Sequence, residues 1–230
     1  MELTLLKRWV KVLLGKDLFI RTQVNCPTLH YGRKDYDWSF CPLDINKDSI
    51  VYSFGIGHDI SFDLELIENF GLKVFAFDPT PKSTTWLEAQ VLPSEFQYFA
   101  LGLSDHDGIV EFFETGGKQA VSFTELKLSD KWSGQQPVLL RVCKLSTICS
   151  MLNHDHIDIL KMDIEGSEYR VIPDLLRSKI PITQILVEFH HRFKEINVAK
   201  TRELIKIMNR SGYKIFNVST SGYEYSFIRK

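Results

Sequence analysis

The chain has little cysteine, no excess of one charge and no long apolar run, and each shortage removes a class of protein. Four cysteines in 230 residues, Cys26, Cys41, Cys143 and Cys149, make no CxxC pair and no cluster with histidine. That excludes a zinc ribbon and a densely stapled secreted scaffold, and it predicts reduced, mostly buried thiols in a cytoplasmic protein. Lys plus Arg (28) nearly balances Asp plus Glu (29), for a formal net charge of −1. Without a basic field there is no broad surface for phosphate contacts, so nucleic acid is not an expected partner. No apolar stretch approaches the roughly 20 residues of a membrane span. Residues 1–16 (MELTLLKRWVKVLLGK) lack the unbroken apolar region and small-residue cleavage site of a signal peptide. Instead Leu6, Trp9, Val10, Leu13 and Leu14 recur at helical spacing among Lys7, Arg8 and Lys11. They predict an amphipathic helix capping the domain; peripheral contact with an anionic membrane surface is the other use of such a helix.

What the chain does have is apolar material for one full core, 44% hydrophobic against 25% charged residues. Residues 1–48 divide from the rest. After the first helix they hold Pro27, Pro42, Gly32 and the aromatics Tyr31, Tyr36, Trp38 and Phe40 without a sustained period. They read as an irregular arm, either a lid or wall for the site or apolar filler. Over residues 49–230 short apolar runs alternate with amphipathic segments. Ile50–Phe54, Lys73–Phe77, Phe96–Leu101, Ile157–Met162 and Gln184–Glu188 are the nearly continuous runs of a parallel sheet covered on both faces. Helices are expected at Phe62–Phe70, Ser167–Leu176 and Ala199–Asn209. Ile109–Phe113 and Val138–Lys144 read as strands flanking a polar loop at Thr115–Gln136. Tyr213–Val218 and Tyr225–Ile228, joined by Ser-Thr-Ser-Gly, give a hairpin signal. The sum is a doubly wound α/β domain whose last strand runs antiparallel.

Two motifs carry chemistry. Val51-Tyr52-Ser53-Phe54-Gly55-Ile56-Gly57-His58-Asp59-Ile60 runs from a strand into a helix. Gly55 and Gly57 permit a tight turn and close approach of a ligand to the backbone. Asp78 follows 21 residues after Gly57, at the end of the second strand. An ionised carboxylate there can accept hydrogen bonds from both hydroxyls of a ribose. An adenosine-bearing cofactor fits, either NAD or S-adenosylmethionine. The third glycine of a pyrophosphate site is missing: Ile60 stands there, after Asp59. An acid at a helix start tolerates a sulfonium cofactor with an ammonium group and repels a pyrophosphate, so the pattern leans to S-adenosylmethionine.

The second motif is Ile159-Leu160-Lys161-Met162-Asp163-Ile164-Glu165-Gly166-Ser167-Glu168. Asp163 and Glu165 are two apart at a strand end, so both carboxylates can face one pocket over the carboxyl edge of the sheet. Such a pair needs a cation, a shared proton or donors. Mg²⁺ would satisfy it, as would a plain structural role in which Glu165 caps the next helix or pairs with Arg170 or Lys161; no metal is assigned.

KMDIEGSE at Lys161–Glu168, SFGIGHDISFD at Ser53–Asp63, FAFDPTP at Phe75–Pro81, ALGLSD at Ala100–Asp105 and ILVEFH at Ile185–His190 stand in the order of the FkbM-type methyltransferases. The chain resembles that family over residues 49–229. The resemblance implies a class I, Rossmann-like fold with a mostly parallel seven-stranded sheet and an antiparallel C-terminal hairpin. It implies an S-adenosylmethionine-dependent methyltransferase (EC 2.1.1) that methylates a hydroxyl of a sugar, glycan or other small molecule. By the same resemblance Gly55 and Gly57 lie under the cofactor, Asp78 binds its ribose, and Leu101 and Gly102 line the adenine. Asp163 would sit beside the methionine and the transferred methyl, Glu165 beside the acceptor. Asp163, Glu165 and His190 are the candidate catalytic residues, with His190 offering the convenient unperturbed pKa of a base. Ser53 departs from the family's commoner first motif, which places an acid there to hold the methionine end; Asp59 is the candidate to compensate. A non-catalytic binding module that keeps this fold and a protein methyltransferase are the rival readings.

Overall fold

The computed structural model describes residues 2–33, 37–114, 123–125, 136–193 and 196–230, with residues 2–7 as backbone alone. In chain order the elements are α1 (Glu2–Leu13), β1 (Leu29–Tyr31), β2 (Trp38–Phe40), β3 (Ile50–Phe54), α2 (Ser61–Phe70), β4 (Lys73–Phe77), α3 (Pro81–Glu88) and β5 (Phe96–Phe99). There follow β6 (Gly102–Leu103), β7 (Gly108–Glu114), β8 (Phe123–Thr124), β9 (Val138–Cys143), α4 (Leu145–Leu152) and β10 (Ile157–Met162). The last are α5 (Glu168–Ser178), β11 (Ile182–Glu188), α6 (Val198–Arg210), β12 (Tyr213–Val218) and β13 (Glu224–Arg229).

The architecture is α/β, as the apolar runs predict. Its main sheet has the order β12-β13-β11-β10-β3-β4-β5. The strands from β11 to β5 run parallel, and β13 is antiparallel to both of its neighbours. Strand alternation sends Tyr52 and Phe54 to one face, where they join Ile148 of α4, Ile172 of α5 and Met208 of α6. Val51 and Val74 go to the other face, with Leu66 of α2, Leu87 of α3 and Phe40 of the arm. Covering both faces is why these strands carry almost no polar residue.

A smaller sheet, β6-β9-β7-β8, flanks the carboxyl end of the main one. Its β7 and β9 pair antiparallel. Of the expected polar loop, residues 115–122 and 126–135 lie outside the described residues; between them Phe123–Thr124 is a strand paired with β7. Helices α3 and α4 were not anticipated. The signal for α3 was present, since Thr80 caps it by accepting from the Ser83 N–H and Pro81 opens it.

The arm is stitched to the sheet. Cys41 N–H donates to Gln184 Oε1 (2.7 Å) and Gln184 Nε2 donates back to the Cys41 carbonyl (2.8 Å). Ser226 Oγ donates to the Ser39 carbonyl (2.6 Å). Trp38 and Phe40 are buried, and Tyr31 packs against Phe40 and Phe70. Trp38 and Phe40 thus anchor the arm in the core while Leu29, Arg33 and Leu43 stay exposed, and Tyr36 lies outside the described residues. Cys26 and Cys41 form a disulfide, with Cα atoms 6.2 Å apart. This corrects the expectation of four reduced thiols; only Cys143 and Cys149 are free and buried. The pairing has no local signature, because the β1–β2 turn of chain brings together cysteines 15 residues apart. Disulfides persist in oxidising compartments, so the cysteine count gives no support to a cytoplasmic location.

Helix α1 is tied down by Arg8, which donates to the carbonyls of Ser219 (2.9 Å) and Leu18 (3.2 Å). Its Trp9 stacks on Phe19, ring centres 4.8 Å apart, while Val10 and Leu13 are exposed. No helix among the described residues is long and apolar enough to cross a membrane.

Candidate functional site

The ends of β3, β4 and β10 meet at one point. Gly55 turns the chain out of β3 at φ 72°, and a Cβ there would lie 1.6 Å from the Asp163 carbonyl oxygen. Glycine is thus required for β3 and β10 to touch, and the contact is fixed by Asp163 N–H donating to the Phe54 carbonyl (3.1 Å). Gly57 N–H donates to Asp78 Oδ2 (3.0 Å). The other Asp78 oxygen accepts from the Thr80 N–H (2.9 Å) and hydroxyl (2.6 Å). Asp78 ties the first turn to the start of α3 while facing a cleft.

That cleft encloses about 610 Å³, open mouth included, and is lined by Gly55, Gly57, Asp78, Leu101, Gly102, Asp163 and Glu165 among others. Its far wall is apolar, with Phe77, Leu103, Phe112 and Phe123. At Gly102 a Cβ would stand 3.0 Å from Val142 and 3.2 Å from Pro79, so a side chain there would press on both. A second cleft of about 800 Å³, open mouth included, adjoins the first through Gly55 and Asp163. Trp38, Arg33, Lys161, Glu188 and Glu224 line it, and the Lys161 ammonium sits 4.8 Å from the Trp38 ring centre.

Asp59 lines the second cleft and its Oδ1 accepts from the Ser61 N–H (3.0 Å) and hydroxyl (2.6 Å). Ser53 lines neither cleft. It is fully buried, its hydroxyl lacks a hydrogen-bond partner, and its strand partner on β10 is Lys161. Asp63 of α2 is also fully buried on that side; burial pushes its carboxyl up to about 6 against the pull of Lys161 and Ser53.

His190 sits behind Asp163 and Glu165. Its Nδ1 donates to Glu168 Oε1 (3.0 Å), and Nε2 lies 3.6 Å from Asp163, 3.4 Å from Glu165 and 3.9 Å from Glu188. Burial opposes its charge, but Glu168, Asp163 and Glu165 outweigh it and hold the imidazole pKa well above 6.5. This corrects the sequence expectation of an unperturbed histidine. Asp163 is pushed up to about 7, by burial first and then by Glu165, and Glu188 to about 9, by burial and Asp163. Glu165 itself holds a left-handed backbone, φ 48°, and its carbonyl accepts from the Thr124 hydroxyl (2.6 Å).

Of the plain structural roles considered for Glu165, pairing with Arg170 goes to Glu125, and no side-chain hydrogen bond caps α5. Glu168 accepts from the N–H groups of Ile164 (3.2 Å) and Gly166 (3.3 Å). Glu168, Glu188 and Lys161 were not named as site residues, although all three stand in the two later motifs, KMDIEGSE and ILVEFH. Trp38 belongs to the aromatic arm read as either a wall for the site or apolar filler, and it lines the second cleft.

Residues 49–215 match the methyltransferase FkbM domain family. The chain is 23% identical over 205 residues to a human protein named probable methyltransferase-like protein 24, covering 78% of this chain and 47% of that protein. With the rat protein of the same name it is 22% identical over 187 residues, 74% of this chain and 43% of the relative. The chain thus spans less than half the length of these relatives. Among solved structures, the Methanococcus jannaschii fibrillarin pre-rRNA processing protein aligns at a TM-score of 0.47 and 12% identity, over 81% of this chain and 69% of that one. A fibrillarin/Nop5p complex aligns at 0.45 and 12%, over 80% and 74%.

Proposed function

Because the chain belongs to the FkbM methyltransferase family, we propose that it transfers a methyl group from S-adenosylmethionine to a hydroxyl of a sugar, glycan or other small molecule. The observation that carries this reading is the meeting of Gly55, Gly57, Asp78 and Asp163 around one cleft whose other wall is apolar. Gly55, Gly57 and Gly102 line that cleft without side chains, which leaves backbone open to a flat adenosine. Asp78 would hold the ribose, and Leu101 and Gly102 the adenine. The cofactor supplies an electrophilic methyl on a sulfonium. Asp163, where the two clefts join, stands at the point between donor and acceptor.

Methyl transfer to oxygen is an in-line displacement, so the chain's main task is positioning. The second cleft suits a hydroxylated acceptor, with the Trp38 ring as a stacking face and Arg33, Glu188 and Glu224 as polar contacts. His190 sits among these acids and serves to steady them, and the hydroxyl proton goes to the carboxylate pair. Asp163, at about 7, is matched to that task. Glu165→Gln is expected to leave S-adenosylmethionine binding within about threefold while lowering turnover about 10²–10⁴-fold, the usual worth of general base catalysis. Equal loss of binding and turnover would contradict the division of roles. A non-catalytic binding module is the second reading, favoured by Ser53, which offers no carboxylate to the cofactor's methionine end. It predicts cofactor binding with no turnover on any hydroxylated acceptor.

A further inference from the structure

At the carboxyl edge of the sheet four acids gather around one histidine. Asp163, Glu165, Glu168 and Glu188 all lie within 3.9 Å of the single imidazole of His190. Glu168, with no exposed surface, takes the Nδ1 proton at 3.0 Å. That bond fixes the ring and turns Nε2 towards Asp163 Oδ1 and Glu165 Oε2. Neither approach, at 3.6 and 3.4 Å, closes a hydrogen bond, although His190 is only 7% exposed. Asp163 Oδ1 is buried and has no hydrogen-bond partner among the described residues. Buried polar atoms aimed at one another and unpaired are costly, and a ligand between them removes the cost.

We propose that Asp163, Glu165 and His190 form a site for one divalent first-row cation, of which Mn²⁺ is the representative. The three ligand atoms lie within 4.8 Å of one another. A cation with bonds of about 2.1 Å places adjacent ligands about 3 Å apart and opposite ones about 4.2 Å apart. Shifts of about half an ångström therefore close the shell. The donor set selects the ion: an imidazole beside two carboxylates suits Mn²⁺ or Zn²⁺, whereas Mg²⁺ prefers an all-oxygen octahedron. Glu168 is a positioning residue, the carboxylate that orients a ligating histidine through its other nitrogen. Asp163 lines both clefts and Glu165 the first, so a cation held by them would border the junction. A cation there lowers the proton affinity of an acceptor hydroxyl, which is how the site would serve methyl transfer. Only that use rests on the proposed function; the binding itself does not.

The test is titration of the metal-free chain with Mn²⁺ alone, followed by the loss of the free-ion electron paramagnetic resonance signal. One ion per chain is expected, displaced by Zn²⁺ at lower concentration than by Mg²⁺. His190→Ala and Glu165→Gln should each weaken binding at least about tenfold, and Glu168→Gln by roughly 10–100-fold. Mn²⁺ should raise the melting temperature of the unaltered chain and not of these variants, a readout that also shows whether each variant is folded. A free-ion signal unchanged by stoichiometric protein, or binding undiminished in folded His190→Ala and Glu165→Gln, overturns the proposal. No methyl donor is present, so failure here leaves the methyltransferase reading standing, and its failure leaves the metal site standing.

Discussion

Asp63 has no exposed surface, faces Lys161 and Ser53, and keeps its proton up to about pH 6 in the folded chain. Unfolded, it loses that proton near 3.8. The folded state therefore binds more protons between those values, and this group's contribution to stability is present below 3.8 and lost as pH rises through about 6. The loss amounts to about 3 kcal/mol. Asp63→Asn should remove it. Urea unfolding of both proteins from pH 4 to pH 7 should show the unaltered chain losing ground against the variant across that window; parallel profiles would contradict the account. Gly55 makes a sharper case, because its φ of 72° and its contact with the Asp163 carbonyl leave no room for a Cβ. Gly55→Ala should cost at least about 2 kcal/mol and lower the melting temperature by at least roughly 4 °C. An unchanged melting temperature would mean that the two strand ends are not packed as described. Glycines and acids at strand ends were legible as a motif. The partners of Asp63 and Glu168 were not, because a buried acid's neighbours are chosen by tertiary packing.

At the scale of elements, five strand runs were readable because continuous burial leaves an uninterrupted apolar signature. The β1–β2 arm was not, since its residues are buried by cross-links to distant strands rather than by their own periodicity. The Cys26–Cys41 disulfide and the Gln184 clamp hold that arm, and the arm delivers Trp38 to the second cleft. Closing a loop of this length stabilises by about 3 kcal/mol in the chain-entropy account. The double variant Cys26→Ser, Cys41→Ser should show that loss as a lower urea midpoint with little change in the cofactor cleft. Thiol titration of the denatured, unreduced protein should find two reactive cysteines; four would contradict the disulfide.

On the scale of the whole molecule, two clefts meet at Asp163, where parallel strands end and the smaller sheet closes one side. Open α/β sheets bind ligands at that edge, so its place was predictable from strand order alone. Asp163, Glu165 and His190 were named together from their motifs, but the addition of Glu168 and Glu188 to them was not, because that convergence is set only when the sheet assembles. The central claim is that the first cleft takes S-adenosylmethionine. Calorimetric titration of the chain with S-adenosylmethionine, S-adenosylhomocysteine and NADH tests it most directly. The account predicts one site for the two sulfur compounds, none for NADH, and a weakening of roughly 10–100-fold in Asp78→Ala, the worth of hydrogen bonds to a charged group. No heat from either sulfur compound with the folded chain, or binding of NADH in their place, would contradict it.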